Sequence, residues 1–368
     1  MQKSCTVRAS GCEIFKGCQL TIGLDLGDRS SYYCVLDEAG KVIQEGSVGT
    51  SQKAMGKVFG SIRRCRISME VGTHSPWVSR LLLALGHEVV VANPRQVKLI
   101  SASSRKDDRL DAQTLARLAR VDPNLLRPIQ HRSAKAQGDL MVIRVRSALV
   151  EARTALINTA RGLAKSLGER LPICDSDQMG VEQTEALPAE LQRVLESLLK
   201  EVVSLTEKIK ELDRRVEQIA REDYPETTLL QQVKGVGPLI ALTFVLTLED
   251  KARFAKSRDV GCYVGLRPRR GDSGQSQPQL RITKEGDAYL RKMLVQGAHY
   301  ILGYRGPDTD LRRWGLKLAA RGGKRAKKAA IVAVARKLGI LLHRLWVTGE
   351  VYEPLRNAQT QQMKTAAA

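Results

Sequence analysis

Leu191, Leu195, Leu198, Val202, Leu205, Ile209, Leu212, Val216 and Ile219 follow one another in alternating steps of four and three. No other feature restricts the fold so tightly. That spacing puts every one of these side chains on a single helical stripe, and a seam held for four heptads must lie against another helix. The stretch from Ala134 to about Leu167, which contains no proline, supplies a second helix, and a loop carrying Pro172 and Pro188 separates the two. At about 1.5 Å rise per residue each helix spans on the order of 50 Å. The expectation is a pair of coiled-coil helices over 134–224. An antiparallel hairpin, a dimerisation arm, or both would satisfy it, and so would a spacer inside a monomer.

Before these helices the apolar pattern is short and alternating. Leu20, Ile22, Leu24 and Leu26 share one strand face, and SYYCVLD and KVIQEGSV follow across an Ala39-Gly40 turn as a predicted three-strand meander. A helical stretch near 51–62, the strand RISME (66–70), a helix near 75–85 and the buried-type strand HEVVVA (87–92) complete an α/β layer domain. After the long helices come LLQQVKGVGPLIALTF from Leu229, a Gly-, Arg- and Ser-rich loop at 265–279, and helices near 286–303 and 324–346, which predict a mainly α domain. The expected division is an extension at 1–18, an α/β domain at 19–133, the helical pair at 134–224, the C-terminal domain at 225–352 and a polar tail at 353–368, with extension and tail both read as disordered.

Sixty Lys and Arg against 39 Asp and Glu leave a net charge of +21, so a polyanionic partner is expected. Phosphate neutralisation by Lys and Arg dominates nucleic-acid affinity, which puts DNA or RNA first and an anionic membrane surface a distant second. Aromatic residues make up only 4% of the chain, against extensive base stacking as the binding mode. The best apolar run, Leu239 to Leu248, stops at Glu249 and Asp250, short of the roughly 18 to 20 residues that cross a bilayer, so no integral membrane protein is expected. The seven cysteines form no CxxC pair, which excludes the common zinc spacings and argues against a disulfide framework. With no signal-peptide pattern in the first eighteen residues, the expected compartment is the reducing cytoplasm.

Several constellations could carry chemistry. Thr21, Gly23 and Asp25 share the strand face opposite Ile22 and Leu24, so a carboxylate beside two small residues leaves room for a metal or phosphate, or simply faces solvent. Glu70 ends the strand RISME, a frequent functional position in open α/β sheets. In KDDRLDAQTLARLAR, Asp107 reads as an N-cap, while Asp108 and Asp111 lie on one face of the first turn; acids there also suit the helix dipole without any catalytic role. Together, Asp25, Glu70, Asp108 and Asp111 are the oxygen donors that a two-metal phosphoryl-transfer site requires. Around the glycine turn of LLQQVKGVGPLIAL, which resembles a helix-hairpin-helix, Lys234, Gly235 and Gly237 would meet a DNA phosphate. In GLRPRRGDSGQSQPQLRITKEG, Arg267, Arg269 and Arg270 precede Ser273, a hydroxyl in a strongly cationic loop, and Lys284 follows. Residues 312–328 carry eight basic and no acidic side chains, among them Arg312, Arg313, Lys324, Arg325, Lys327 and Lys328, as a candidate phosphate-binding stripe.

Taken in order, TIGLDLG, ISMEVGT, DDRLDA, the helical spacer, VKGVGPLIA, GLRPRRGDSG and RITKEGDAYLR resemble the one-one-zero family of insertion-sequence transposases over about residues 19–350. The resemblance implies a ribonuclease H-like, RuvC-like N-terminal domain whose DEDD tetrad falls on Asp25, Glu70, Asp108 and Asp111, with Mg²⁺ as cofactor. It further implies a serine nucleophile at Ser273, with Ser276 a nearby competitor, a structured bridge RNA as guide, donor and target DNA as substrates, and a homodimer or tetramer. Two other readings stay open: a structure-selective nuclease that uses metal-activated water, and a noncatalytic nucleic-acid-binding scaffold.

Overall fold

The structure, a computed structural model, describes residues 20–93, 107–278 and 280–356. The expected extension 1–18 and the tail from residue 357 lie outside the described residues. The chain forms two compact units, Met1–Arg132 and Ser133–Ala368.

In the first unit the alternating apolar pattern becomes a five-stranded sheet. Its strands are β1 (Thr21–Asp25), β2 (Ser30–Leu36), β3 (Val42–Gly49), β4 (Arg66–Glu70) and β5 (Glu88–Ala92), in the order β3-β2-β1-β4-β5. The predicted meander is antiparallel, whereas β4 and β5 run parallel to β1. Period-two alternation gives the two faces different cores. Ile22, Leu24, Ile67 and Met69 pack with Phe59 of helix α1 (Gln52–Phe59) and with Val78 and Leu82 of α2 (Ser75–Ala84). On the other face lies α3 (Asp108–Val121), whose Ala112 and Ala116 meet Cys34 and Leu36 while Leu115 and Ala119 meet Val90 and Ala92.

The second unit opens with α4 (Ala134–Ser166) and α5 (Ala189–Glu222). Arg146 pairs with Asp213, and Arg153 Nη1 donates to Thr206 Oγ1 at 3.1 Å, so the helices run antiparallel as a hairpin within one chain. The register of the seam departs from the expected one. Leu195, Val202, Ile209 and Val216 are buried as predicted, but the row beside them is filled by Leu199 and Thr206, and Leu198, Leu205 and Leu212 are only half-buried. A single partner helix covers one flank of a two-row stripe. Val142, Leu149 and Leu156, seven apart on α4, are half-buried in the same way.

The helices that follow are α6 (Thr227–Gln231), α7 (Pro238–Leu248), α8 (Arg258–Tyr263), α9 (Ala288–Leu302), α10 (Asp310–Ala319) and α11 (Gly323–Thr348). The long apolar run is α7, buried at every position from Ile240 to Leu248, as a helix hydrophobic all round must be. No helix among the described residues is long and apolar enough to cross a membrane. The hairpin and the C-terminal helices share one core, in which Leu140, Ile143, Val216 and Ile219 join Phe244, Leu290, Leu338 and Trp346. Sequence reading separates them at residue 224 because a regular heptad looks self-contained. It also misses α10, where Thr309 caps the helix by accepting from the Arg312 amide at 3.0 Å. The start of the expected disordered tail is anchored: the Asp310 amide donates to the Pro354 carbonyl at 2.8 Å, and Arg356 pairs with Glu350.

Candidate active site

The close approach of α3 to the sheet depends on Gly23. A Cβ there would stand 1.9 Å from the Ala112 carbonyl oxygen and 2.5 Å from the Ala116 nitrogen. The room left by the small residues on β1 is therefore filled by helix backbone, not by a ligand, which corrects the simplest reading of Thr21 and Gly23. At the far end of the helix Arg66, which opens β4, donates to the Ala119 carbonyl, so α3 runs against β1 and its first turn reaches the ends of β1 and β4. Asp107 caps that turn, accepting from the Arg109 amide at 3.0 Å, with Asp108 and Asp111 inside it. Gly23 is paired with Ser68 and Leu24 with Met69, so Asp25 and Glu70 end adjacent strands on one face.

Packing thus brings four acids together from three elements. Burial, then repulsion from Asp108, Asp111 and Glu70, pushes the Asp25 carboxyl up to about 6, only partly offset by the Leu26 amide. The Glu70 carboxyl is also raised, by burial and by Asp111. No three His, Cys, Asp or Glu side chains among the described residues are gathered tightly enough to hold an ion as they stand. The cluster is coupled over Coulombic range but is not a closed cage. Its donor set, all carboxylate oxygen and mutually repelling, fits a hard divalent cation better than any soft metal.

A second group lines the same sheet edge and is absent from the sequence reading. Trp77 Nε1 donates to His74 Nδ1 at 3.1 Å, which leaves the His74 ring proton on Nε2, facing Asp28 Oδ1 at 3.6 Å. Its only signal in the sequence is a His and a Trp shortly after the acid that ends β4.

In the second unit the Arg- and Ser-rich loop folds back on itself as a ribbon held by isolated bridges at Pro268–Ile282 and Ser273–Ser276. The Arg269 amide donates to the Arg281 carbonyl and the Thr283 amide to the Arg267 carbonyl, both at 2.9 Å. At the tip Ser273 and Ser276 exchange backbone bonds of 3.1 and 3.0 Å across Gly274-Gln275, with φ +55° at Gly274. Positive φ at the first central position is the pattern of a type II′ hairpin turn. At the root, a Cβ on Gly286 would stand 1.8 Å from the Tyr263 carbonyl oxygen, and Arg291 Nη1 donates to the Val264 and Glu285 carbonyls at 2.9 Å each. Ser273, Arg267, Arg269 and Arg270 are exposed, and the Ser273 hydroxyl has no hydrogen-bonding partner among the described residues. Lys284, also exposed, holds a left-handed φ of +58° with its amide on the Gly265 carbonyl.

The remaining cations divide by surroundings. Lys234 and Gly237 are exposed beside the start of α7, and Gly235, at φ +97°, is half-buried, with Tyr300 and Gly297 on the side where a Cβ would stand. Arg312 donates to the Ile301 and Gly303 carbonyls and so closes the end of α9, while Arg313 pairs with Asp308. These two are engaged within the protein, so the expected basic stripe is interrupted. Lys324, Arg325, Lys327 and Lys328 are exposed on the first turns of α11 and have no acidic partner among the described residues. Cations at a helix N-terminus oppose its dipole, a placement that a bound anion would relieve.

A carboxylate cluster at the edge of a mixed sheet, in a chain of strong positive charge, defines a class: enzymes of phosphoryl transfer on nucleic acids. Comparison with known proteins is more specific. Residues 22–168 match the IS110-type DEDD transposase domain, and residues 227–310 match the domain described as transposase IS116/IS110/IS902 family. The chain is 29% identical over 344 residues to the transposase for insertion sequence element IS1111A of Coxiella burnetii, covering 90% of each. It is 30% identical over 341 residues to a probable family 20 transposase of Pseudomonas aeruginosa, covering 90% of this chain and 98% of that one. A putative transposase of Sinorhizobium fredii, y4pF/y4sB, is 31% identical over 309 residues, or 82% of this chain and 78% of its own. The chain belongs to the IS110/IS116/IS902 family of transposases, enzymes that cut and rejoin DNA. The noncatalytic scaffold reading falls with that result. A ribonuclease H-like fold is what the DEDD match suggests, and the mixed five-stranded sheet agrees with it.

Proposed function

We propose that this transposase exchanges DNA strands through a serine ester at Ser273, with Asp25, Glu70, Asp108 and Asp111 holding Mg²⁺. The observation that carries the reading is the ribbon, which presents a hydroxyl with no internal partner among the described residues, preceded by three exposed arginines, at the tip of an arm rooted against the helices. Ser273 Oγ gives up its proton and bonds to phosphorus, the phosphorus–O3′ bond breaks, and the 3′ oxygen takes up a proton. The reverse step rejoins a new strand. Hydrolysis by water would lose the bond energy that an ester keeps. Arg267, Arg269 and Arg270 supply guanidinium groups for the charge on the pentavalent phosphorus. The bound cations would contribute Lewis-acid polarisation of the phosphate.

In this reading donor and target DNA are met by Lys234, Gly237, Lys284 and the exposed cations of α11, and a structured RNA supplies target choice by base pairing, which leaves the protein no sequence to read. Sequencing RNA that copurifies with the protein tests the guide: no recurrent structured species would remove it. The half-buried leucine rows of the hairpin fit a homodimer or tetramer formed by four-helix packing. Ser273→Ala separates the recombinase from a RuvC-like nuclease using metal-activated water. The expected result is loss of cleavage by a thousandfold or more with DNA binding retained, and near-normal activity for Ser276→Ala. Cleavage that survives Ser273→Ala would mean a nuclease.

A further inference from the structure

Aromatic side chains are scarce in this chain, yet two of them line a single cleft of about 410 Å³ between α10, α11 and residues 352–356. It is lined by the apolar Leu311 and Leu341, by Trp314 and Tyr352, and by the cations Lys337 and Arg344, of which Arg344 pairs with Glu350 at 3.1 Å. The volume lies in the range of roughly 300–1,000 Å³ typical of small-ligand sites. Lys337 Nζ sits 3.8 Å from the centre of the Trp314 ring. Partial desolvation lowers the Lys337 ammonium below its ordinary range although the residue is exposed, and no acidic side chain among the described residues pairs with it. Tyr352 is anchored through its amide, which donates to Gln232 Oε1 at 2.8 Å. Asp310 and Glu353 also line the cleft, so it is no general polyanion groove. Two aromatic rings, apolar side chains and two cations lining one cleft together suit an unstacked base with its phosphate.

We propose that this cleft binds one unpaired nucleotide of the nucleic acid on which the transposase acts, its base against Trp314 and Tyr352 and its phosphate against Lys337 and Arg344. Lys337 shields the Trp314 ring in the free protein and moves on its flexible stem to the phosphate when the base enters. The low aromatic content rules out stacking along a whole strand, not stacking of one base. The proposal rests on the chain's handling of nucleic acid, so duplex binding is measured beside it.

The test uses the full-length protein and single-stranded DNA or RNA oligonucleotides carrying one 5-iodo-substituted pyrimidine, irradiated and mapped by mass spectrometry. Cross-links at Trp314 or Tyr352 are expected, and the oligonucleotide that gives the stronger yield identifies DNA or RNA as the source. Trp314→Leu and Lys337→Gln should each weaken single-strand binding about tenfold and leave duplex binding within twofold. Lys337→Gln is an exposed change that keeps the test open if Trp314→Leu fails to fold. Cross-links confined to other residues, or unchanged single-strand affinity in folded variants, would overturn the proposal. Equal losses for duplex and single strand would also overturn it, because the cleft would then serve backbone contact or folding alone. Loss of duplex binding in the unmodified protein would instead strike at its nucleic-acid chemistry as a whole.

Discussion

The two halves of the proposed chemistry are built in opposite ways. The carboxylate cluster is a product of packing: three elements, one of them more than 80 positions downstream of β1, meet because Gly23 lets a helix backbone rest on a strand. Ser273 owes almost nothing to packing, since a local turn and isolated bridges present it on an exposed ribbon that, among the described residues, is tied to the helices at its root. One half is closely packed and electrostatically strained before any cation arrives, while the other is simple and open. Acids that repel one another need a scaffold to hold them, whereas a nucleophile that must reach a phosphate in a bulky duplex needs projection.

The comparison is sharpened most by removing charge from the packed half. Asp25→Asn and Glu70→Gln should each cut strand cleavage by roughly a thousandfold or more, because each removes an oxygen donor from a site asked to supply several kcal/mol to the barrier. DNA binding, measured by mobility shift, should stay within about threefold. Comparable activity in either variant would break the assignment of those acids. The same substitutions should raise the melting temperature of cation-free protein, since they relieve the mutual repulsion.

Next in size is Gly23→Ala. The new methyl group would overlap the α3 backbone, and backbone yields less than a side chain, so the cost should reach or exceed the 1–3 kcal/mol of ordinary overpacking. Thermal unfolding of the first unit should fall by several degrees, with activity lost and the ribbon unaffected. An unchanged melting curve would show that the helix can shift away without cost. This position also marks how far the sequence could be read. Leu20, Ile22 and Leu24 announce a strand, RISME and HEVVVA announce two more, and the DxxD spacing places two acids on one turn. Nothing local to Gly23 says that the empty place on its face will be filled by Ala112 and Ala116, because that is a contact between distant segments. The heptad is similar: spacing predicted the helix and its stripe, but which row its partner covers, Leu199 and Thr206 instead of Leu198 and Leu205, depends on the register of α4. Arg312 and Arg313 count as free cations in a one-dimensional tally until the end of α9 and Asp308 claim them.

The strain itself predicts a pH dependence. In the unfolded chain Asp25 ionises near its ordinary 3.8, but in the folded protein at about 6. Between those values the folded state binds more protons than the unfolded one, so stability falls as pH rises, and the penalty is complete above about pH 6. Glu70 shifts in the same direction. Chemical denaturation of chelated protein should therefore show a midpoint that declines from about pH 4 to pH 6 and then levels. Asp25→Asn or added Mg²⁺ should flatten that decline, and a midpoint that rises over this window would contradict the coupled cluster.

The smallest expected effect falls on the exposed half, at Gly274. A Cβ there would touch nothing within 4 Å, so any cost of substitution lies in the backbone, which holds φ at +55°. A β-branched residue should disfavour that conformation by about 1–2 kcal/mol, whereas Asn visits it readily. Gly274→Val should then open the Ser273–Ser276 pair in most molecules and lower strand-exchange rate by several-fold, while Gly274→Asn stays near the original rate. Neither should move the melting temperature by more than about a degree, since an exposed two-residue turn adds little to the core. The split between the two variants carries the information. Equal activity for Val and Asn would mean that the ribbon tip rearranges on the substrate and that the turn seen here does not place the nucleophile. Matched stability with unmatched activity is what a projecting arm predicts, and it is the reverse of what Gly23→Ala should produce in the packed half.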